Sequence, residues 1–245
     1  KMINIQSSDD MVKSTRTTSI SIGTSRVGKT FFVGTMCDAG RKVFILDTED
    51  GLRTIDDKKF DRVLVNNYPD AIAALEWFLV EGHKNYTHLA IDSLNRLQSY
   101  LIDAVTEDAG KILKANGYND STKGQMSLQK WGIVTAQTKK IVNLLTKQCP
   151  TSVHMCVTAV ESKDEVTGMT KLYPALQGAF KHEALGFFDS ILYHRAGIKN
   201  GEQEFWVQLA ADGRIDSGSR IRSLKDTHGA NMPNNYQHIV DALTK

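Results

Sequence analysis

Apolar and polar positions follow two rhythms along the chain, and the switches between them mark out short strands and helices. Thr18-Ser19-Ile20-Ser21-Ile22 alternates with period two and stops at Gly23, which predicts a strand. Helical spacing then runs from Lys29 through Phe31, Phe32, Met36 and Ala39, with Gly40 as a stop signal. Val43-Phe44-Ile45-Leu46 is a short continuous apolar run, the pattern of a strand buried on both faces. Strand, glycine-rich loop, helix and strand make one βαβ unit.

The alternation continues. Residues 62–65 predict a strand, 69–82 a helix, and His88-Leu89-Ala90-Ile91 a buried strand ending at Asp92. A helix is expected over 94–113, then a polar, Gly-containing stretch over 116–124. A long amphipathic helix follows over 127–147, with Trp131, Val134, Ile141 and Leu145 on one side. Residues 152–159 predict the next strand. Beyond Glu161 the pattern changes: a charged turn at 162–165, a hairpin near 169–173, and two strands, 187–194 and 203–209. These last two are read as antiparallel about Lys199-Asn200-Gly201. The order predicts an α/β three-layer fold with a mainly parallel central sheet, extended by C-terminal β-hairpins. The expected layout is a flexible arm over 1–16, a core over 17–225, and a tail over 226–245 with one short helix from Gln237 to Leu243.

Bulk composition changes this picture little. The 245 residues carry a formal net charge of +2, so any contact with nucleic acid has to come from a local patch. Cys37, Cys149 and Cys156 are scattered without C-x-x-C pairing, which suggests a reducing compartment. No apolar run reaches membrane-spanning length. A cytoplasmic protein without membrane contact is expected.

The chemistry sits between the first strand and the first helix. Gly23-Thr24-Ser25-Arg26-Val27-Gly28-Lys29-Thr30 meets G-x-x-x-x-G-K-[ST] in full. Its glycines let backbone N–H groups wrap phosphate oxygens, and the next helix adds the positive end of its dipole. Lys29 is expected on the β- and γ-phosphates and the Thr30 hydroxyl on Mg²⁺. Asp47 and Asp92 both end apolar strands, where a metal-side acid is needed. Glu49, two residues past its strand, can orient a water toward the γ-phosphate. Asp47, Glu49 and Asp50 can equally be residues that cap the next turn.

On these residues the chain resembles the RecA-like P-loop ATPases, in particular a phage-encoded group that includes single-strand annealing proteins of the Sak type. The resemblance spans about residues 17–222. It rests on the loop, on Asp47-Thr48-Glu49-Asp50-Gly51, on Ile91-Asp92-Ser93-Leu94, and more weakly on Phe188-Asp189-Ser190 and the stretch from Ala211 to Arg220. It implies a RecA-like fold, ATP and Mg²⁺ as ligands, and ATP hydrolysis that is slow or stimulated by DNA. Glu49 would be the catalytic base, Asp92 would orient the metal shell with Thr30, and Asp47 would be structural. The implied partners are single-stranded DNA in phage recombination, annealing or replication, further copies of the chain in a ring or filament, and a single-strand-binding protein. The implied compartment is the bacterial host cytoplasm.

Two departures stand out. Arg26-Val27 occupies loop positions where small residues are usual, and Val160-Glu161 follows the strand that in RecA-like proteins ends with a Gln or His. Arg220, near Arg214 and Arg222, is the candidate to reach a neighbour's γ-phosphate; a solvated basic segment is the competing reading. For DNA, Lys163, Lys171, Tyr173 and Lys181 are the candidates, against an ordinary solvent-facing hairpin; Lys111, Lys114 and Lys123 could also serve. Two other function classes stay open: a RecA-fold ATPase acting on protein partners in assembly or signalling, and a small-molecule kinase. The kinase reading lacks an Arg-rich lid.

Overall fold

The computed structural model describes residues 15–107, 114–115, 117, 124–163 and 168–244. Residues 1–14 of the expected arm over 1–16, residues 108–113 of the helix expected over 94–113 (Lys111 among them), most of the polar stretch at 116–124 with Lys123, and residues 164–165 of the expected charged turn lie outside the described residues.

The chain forms β1 (Thr18–Gly23), α1 (Lys29–Asp38), β2 (Val43–Asp47), β3 (Asp61–Leu64), α2 (Tyr68–Val80), β4 (His88–Asp92) and α3 (Leu94–Glu107). Then come α4 (Leu128–Gln148), β5 (Ser152–Lys163), β6 (Thr170–Pro174), the single-turn α5 (Phe180–Glu183), β7 (Ser190–Lys199) and β8 (Glu202–Gln208). The last elements are β9 (Gly218–Ser219), α6 (Arg222–His228), β10 (Asn231–Pro233) and α7 (Gln237–Leu243).

One sheet organises them, in the order β10-β8-β7-β1-β5-β4-β2-β3, with β6 paired to β5 and β9 to β7. The run from β7 to β3 is parallel. β8 and β10 continue it antiparallel, and β6 and β9 are antiparallel additions. The α/β three-layer fold read from the pattern, and the RecA-like P-loop fold that the resemblance implied, are therefore the observed ones. Asn200 and Gly201 have φ 53° and 85°, so the β7–β8 turn uses two left-handed residues, the geometry that matches strand twist in a tight hairpin.

Successive residues of each inner strand serve opposite faces. Phe44 and Leu46 join Phe78, Leu97 and Val142 on the face covered by α2, α3 and α4. Val43 and Ile45 join Phe32, Met36, Leu224 and Ile239 under α1, α6 and α7. That two-sided burial is why these strands read as unbroken apolar runs. The edge strand β3 is mostly exposed, and it begins and ends one residue earlier than the pattern suggests.

Other differences have local causes. β5 runs through Lys163, beyond the expected end at 159, because β6 pairs with its extension from Ala159↔Pro174 to Lys163↔Thr170. β7 starts at Ser190, while residues 184–187 form a 3₁₀ turn. β10 was not expected: three residues carry no usable periodicity, and only pairing with β8 makes them a strand. Arg16, at the end of the expected arm, is held to the carbonyls of Cys149, Thr151, Leu145 and Thr146 at 2.6–3.2 Å.

Candidate functional site

β1 delivers the loop to the carboxyl edge of the sheet, where open α/β sheets collect ligands. Gly23 leaves no room for a side chain: a Cβ there would lie 2.7 Å from Val27 Cγ2 and 2.9 Å from the His194 carbonyl. Gly28 has φ +88° and caps α1, a helix without an acidic residue in its first turn. That end of α1 thus keeps its full attraction for an anion.

Lys29 folds back over the loop, donating from Nζ to the carbonyls of Gly23 (2.9 Å) and Thr24 (2.7 Å). An ammonium has three donors, so one remains for a further acceptor. Burial lowers its pKa, opposed by the nearby Cys156, Asp92 and Glu49.

Sheet order places β5 between the loop-bearing β1 and the Asp92-bearing β4. Asp92 therefore lies two strand spacings, roughly 10 Å, from β1 across the sheet. The start of α1 spans that gap, and Thr30 Oγ1 donates to Asp92 Oδ2 at 2.7 Å. Burial raises the Asp92 pKa to about 6; the Thr30 hydrogen bond opposes the rise and Glu49 adds to it.

The end of β2 is stitched to the end of β4. Thr48 N donates to the Asp92 carbonyl (2.8 Å), Ser93 N donates to Thr48 Oγ1 (2.7 Å), and Tyr100 OH donates to the Thr48 carbonyl (2.9 Å). Ser93 Oγ donates to Glu49 Oε1. Asp47 is fully buried and accepts from the backbone N–H of Glu49 and Asp50 and from Arg62 Nη1 at 2.7 Å. The three acids are thus held differently. Asp47 closes the turn, while Glu49 is held beside Asp92 by a serine.

A cleft of about 530 Å³ opens beside the loop, between Thr24 and Val27, the end of β5, and β7–β8. Tyr193, Arg195, Trp206 and Arg214 line it. Arg195 lies over the Tyr193 ring at 5.3 Å, and Arg214 reaches Glu161 at 2.9 Å. Glu161, one of the two residues that depart from the Gln or His of the resemblance, is thereby held at this rim.

Arg220 does not join this group. Its backbone N donates to the Asp189 carbonyl (2.7 Å), and its guanidinium lies 3.5 Å from Asp189 Oδ1. Asp189 also accepts from Thr18 N and Oγ1, at the amino end of β1 and so at the opposite edge of the sheet. The candidate DNA residues also divide. Lys171 and Tyr173 pair with Ser162 and Val160 and share one face of the β5–β6 hairpin. Lys181 lies 5.8 Å over the Tyr173 ring. Lys163, paired with Thr170, belongs to the other face.

Oxygen ligands suit Mg²⁺, which needs only one or two protein oxygens and keeps several waters. The Thr30 hydroxyl and Asp92 carboxylate, already in contact, fit that requirement. Among the described residues there is no cluster of three or more His, Cys, Asp or Glu able to hold a metal alone. The cysteines are free thiols, Cys149 and Cys156 buried. Among the described residues no helix is long and apolar enough to cross a membrane.

A glycine-rich phosphate loop on β1, an acid at the end of β4, and β5 between them define a RecA-like P-loop ATPase domain. A family model described as an AAA domain matches residues 16–222, and the chain belongs to that family. No curated protein matches it. Among solved structures, it is similar to the flagellar accessory protein FlaH from Methanocaldococcus jannaschii. The identity is 10% over 78% of this chain and 76% of that one, with a TM-score of 0.38.

Sequence reasoning missed the serine that holds Glu49 and the contribution of Asn234, which donates to the Gly28 carbonyl at 2.9 Å. Ser93 was visible only as the neighbour of Asp92. For Asn234, 206 positions from its partner, no local signal exists.

Proposed function

We propose that the protein binds ATP with Mg²⁺ in the Gly23–Thr30 loop, hydrolyses it with Glu49 as base, and couples turnover to single-stranded DNA in phage recombination, annealing or replication. The observation that carries the hydrolytic part is the Glu49–Ser93–Asp92–Thr30 arrangement, which joins a water-orienting acid to the metal-side pair across two strand ends. Loop N–H groups and Lys29 hold the phosphates. Glu49 accepts a proton from a water aligned with the γ-phosphorus, and Ser93 fixes the carboxylate in that pose. Thr30 and Asp92 would hold Mg²⁺, which when bound would supply charge neutralisation on the phosphate oxygens.

The DNA half rests on surface chemistry. The cleft beside the loop combines Trp206 with Arg195 and Arg214, and Tyr173 of the β5–β6 hairpin with Lys181 of α5 adds an aromatic–cation pair. Stacking on aromatic rings with nearby cations is how single strands are held without sequence preference. Copies of the chain assembled in a ring or filament would align these surfaces on one strand.

The test is the ATPase rate with and without single-stranded DNA at low salt, with particle size measured in each state. Stimulation that fades with salt is expected. No DNA affinity under any nucleotide condition would remove the DNA half. Recovery of a protein partner whose binding alters turnover would favour the assembly or signalling reading instead.

A further inference from the structure

The carboxy-terminal strap from β10 to α7 lies outside the span matched by the AAA domain model, which ends at residue 222, yet it closes over the phosphate loop. β10 is tied to β8 by the pairs Met232↔Val207 and Pro233↔Trp206, which fixes the backbone next to Asn234. Asn234 is buried, and its Nδ2 donates to the Gly28 carbonyl at 2.9 Å. The fit is tight: a Cβ on Gly28 would lie 2.5 Å from that nitrogen. Two residues past Asn234, Tyr236 anchors the strap through its N–H to Thr35 Oγ1 (2.9 Å) and its hydroxyl to His88 Nε2 (2.7 Å).

The chemical consequence lies in one peptide plane. The Gly28 carbonyl already accepts the first helical bond of α1 from Phe32 N at 3.0 Å. A second donor from Asn234 leaves this carbonyl no freedom to swing. In a trans peptide the N–H points opposite to the carbonyl, so fixing the Gly28 oxygen toward the helix aims the Lys29 N–H at the phosphate cradle. Gly28 is the residue most able to rotate, since a left-handed glycine has few steric limits. Restraint from outside the loop is needed at this position more than at its neighbours.

We propose that Asn234 is a positioning residue of the nucleotide site: the strap preorganises the Gly28–Lys29 peptide for phosphate, so a segment beyond the matched family span sets nucleotide affinity. The inference rests on the phosphate-loop reading above.

Titration of Mg²⁺–ATP by calorimetry into the full chain and three variants, alongside thermal unfolding without nucleotide, tests it. Asn234→Ala should weaken ATP binding about tenfold while shifting nucleotide-free unfolding by only a few degrees. Asn234→Asp should weaken it further, because a carboxylate cannot donate to Gly28 and repels phosphate. Leu224→Ala, in the same apolar cluster but away from the loop, should lower the unfolding temperature and leave the affinity of the folded protein within about twofold. Wild-type affinity in a folded Asn234→Ala would overturn the inference alone. So would affinity losses that track lost stability equally in Asn234→Ala and Leu224→Ala. An unmodified chain that binds no ATP would overturn the phosphate-loop reading and this inference with it.

Discussion

The two edges of the central sheet both carry charged residues, but they use them differently. At the amino edge the charges are consumed in holding the chain. Arg16 binds carbonyls at the end of α4 and the start of β5, and Asp189 joins β1, β7 and Arg220. At the carboxyl edge Asp47 is consumed in the same way, but the groups around the phosphate loop keep capacity in hand. Lys29 has a donor to spare beyond its two carbonyls, and Thr30 touches Asp92 with oxygens suited to a cation. Glu49 is oriented by one serine rather than enclosed by cations. Charge alone does not mark a working site; charge whose bonding capacity is incompletely used, at the edge where the strands end, does.

The sharpest way to break this comparison is Lys29→Ala. ATP affinity should fall at least about 100-fold, the scale for losing a charged donor in a water-poor site, with little change in nucleotide-free unfolding. Glu49→Gln should keep ATP affinity and slow hydrolysis by about 10²–10⁴-fold, the range for a removed general base; single-turnover assays with pre-bound ATP separate the two. Full activity in that variant would eliminate Glu49 as the base.

Within the sheet, buried histidines set a pH limit. Burial depresses His88 to about 4 and His154 to about 3, while an unfolded histidine titrates near its ordinary value of 6.5. Below pH 6.5 the unfolded chain binds protons that the folded one refuses. The stability these groups contribute is therefore intact above pH 6.5 and lost as pH falls toward 4. Each costs up to about 1.4 kcal/mol per pH unit in that window. Denaturant midpoints across it should show the slope, and His88→Gln should reduce it.

The smallest effects belong to the amino edge. Asp189→Asn should cost about 1–3 kcal/mol in denaturant unfolding, since two Thr18 donors lose a charged acceptor. Arg220→Ala, at an exposed ion pair, should cost less than about 1 kcal/mol and leave turnover of a single protomer unchanged. A collapse of turnover confined to the assembled protein would instead return Arg220 to the site of a neighbouring copy.

Much of the fold was legible because its inner strands are buried on both faces. Val43–Asp47 and His88–Asp92 read as apolar runs ended by an acid, and each acid lies at the carboxyl edge. The phosphate loop was legible because its chemistry is local: two glycines, a lysine and a hydroxyl within eight residues. Legibility failed where partners are remote. Nothing near Arg220 announces Asp189, and the alternation in β5 could not show that β6 would extend it past Ala159.

The amino-acid sequence by itself determined the phosphate loop, the βαβ order and the acids at the strand ends, because backbone conformation and burial periodicity are written in neighbouring residues. Only the tertiary structure decided how each acid is held. Arg62 and two N–H groups lock Asp47, Ser93 donates to Glu49, and Thr30 reaches across β5 to Asp92. It also brought Asn234 onto Gly28 from the far end of the chain. Such contacts depend on strand order and layer packing, which bring together groups whose separation along the chain carries no periodic signal.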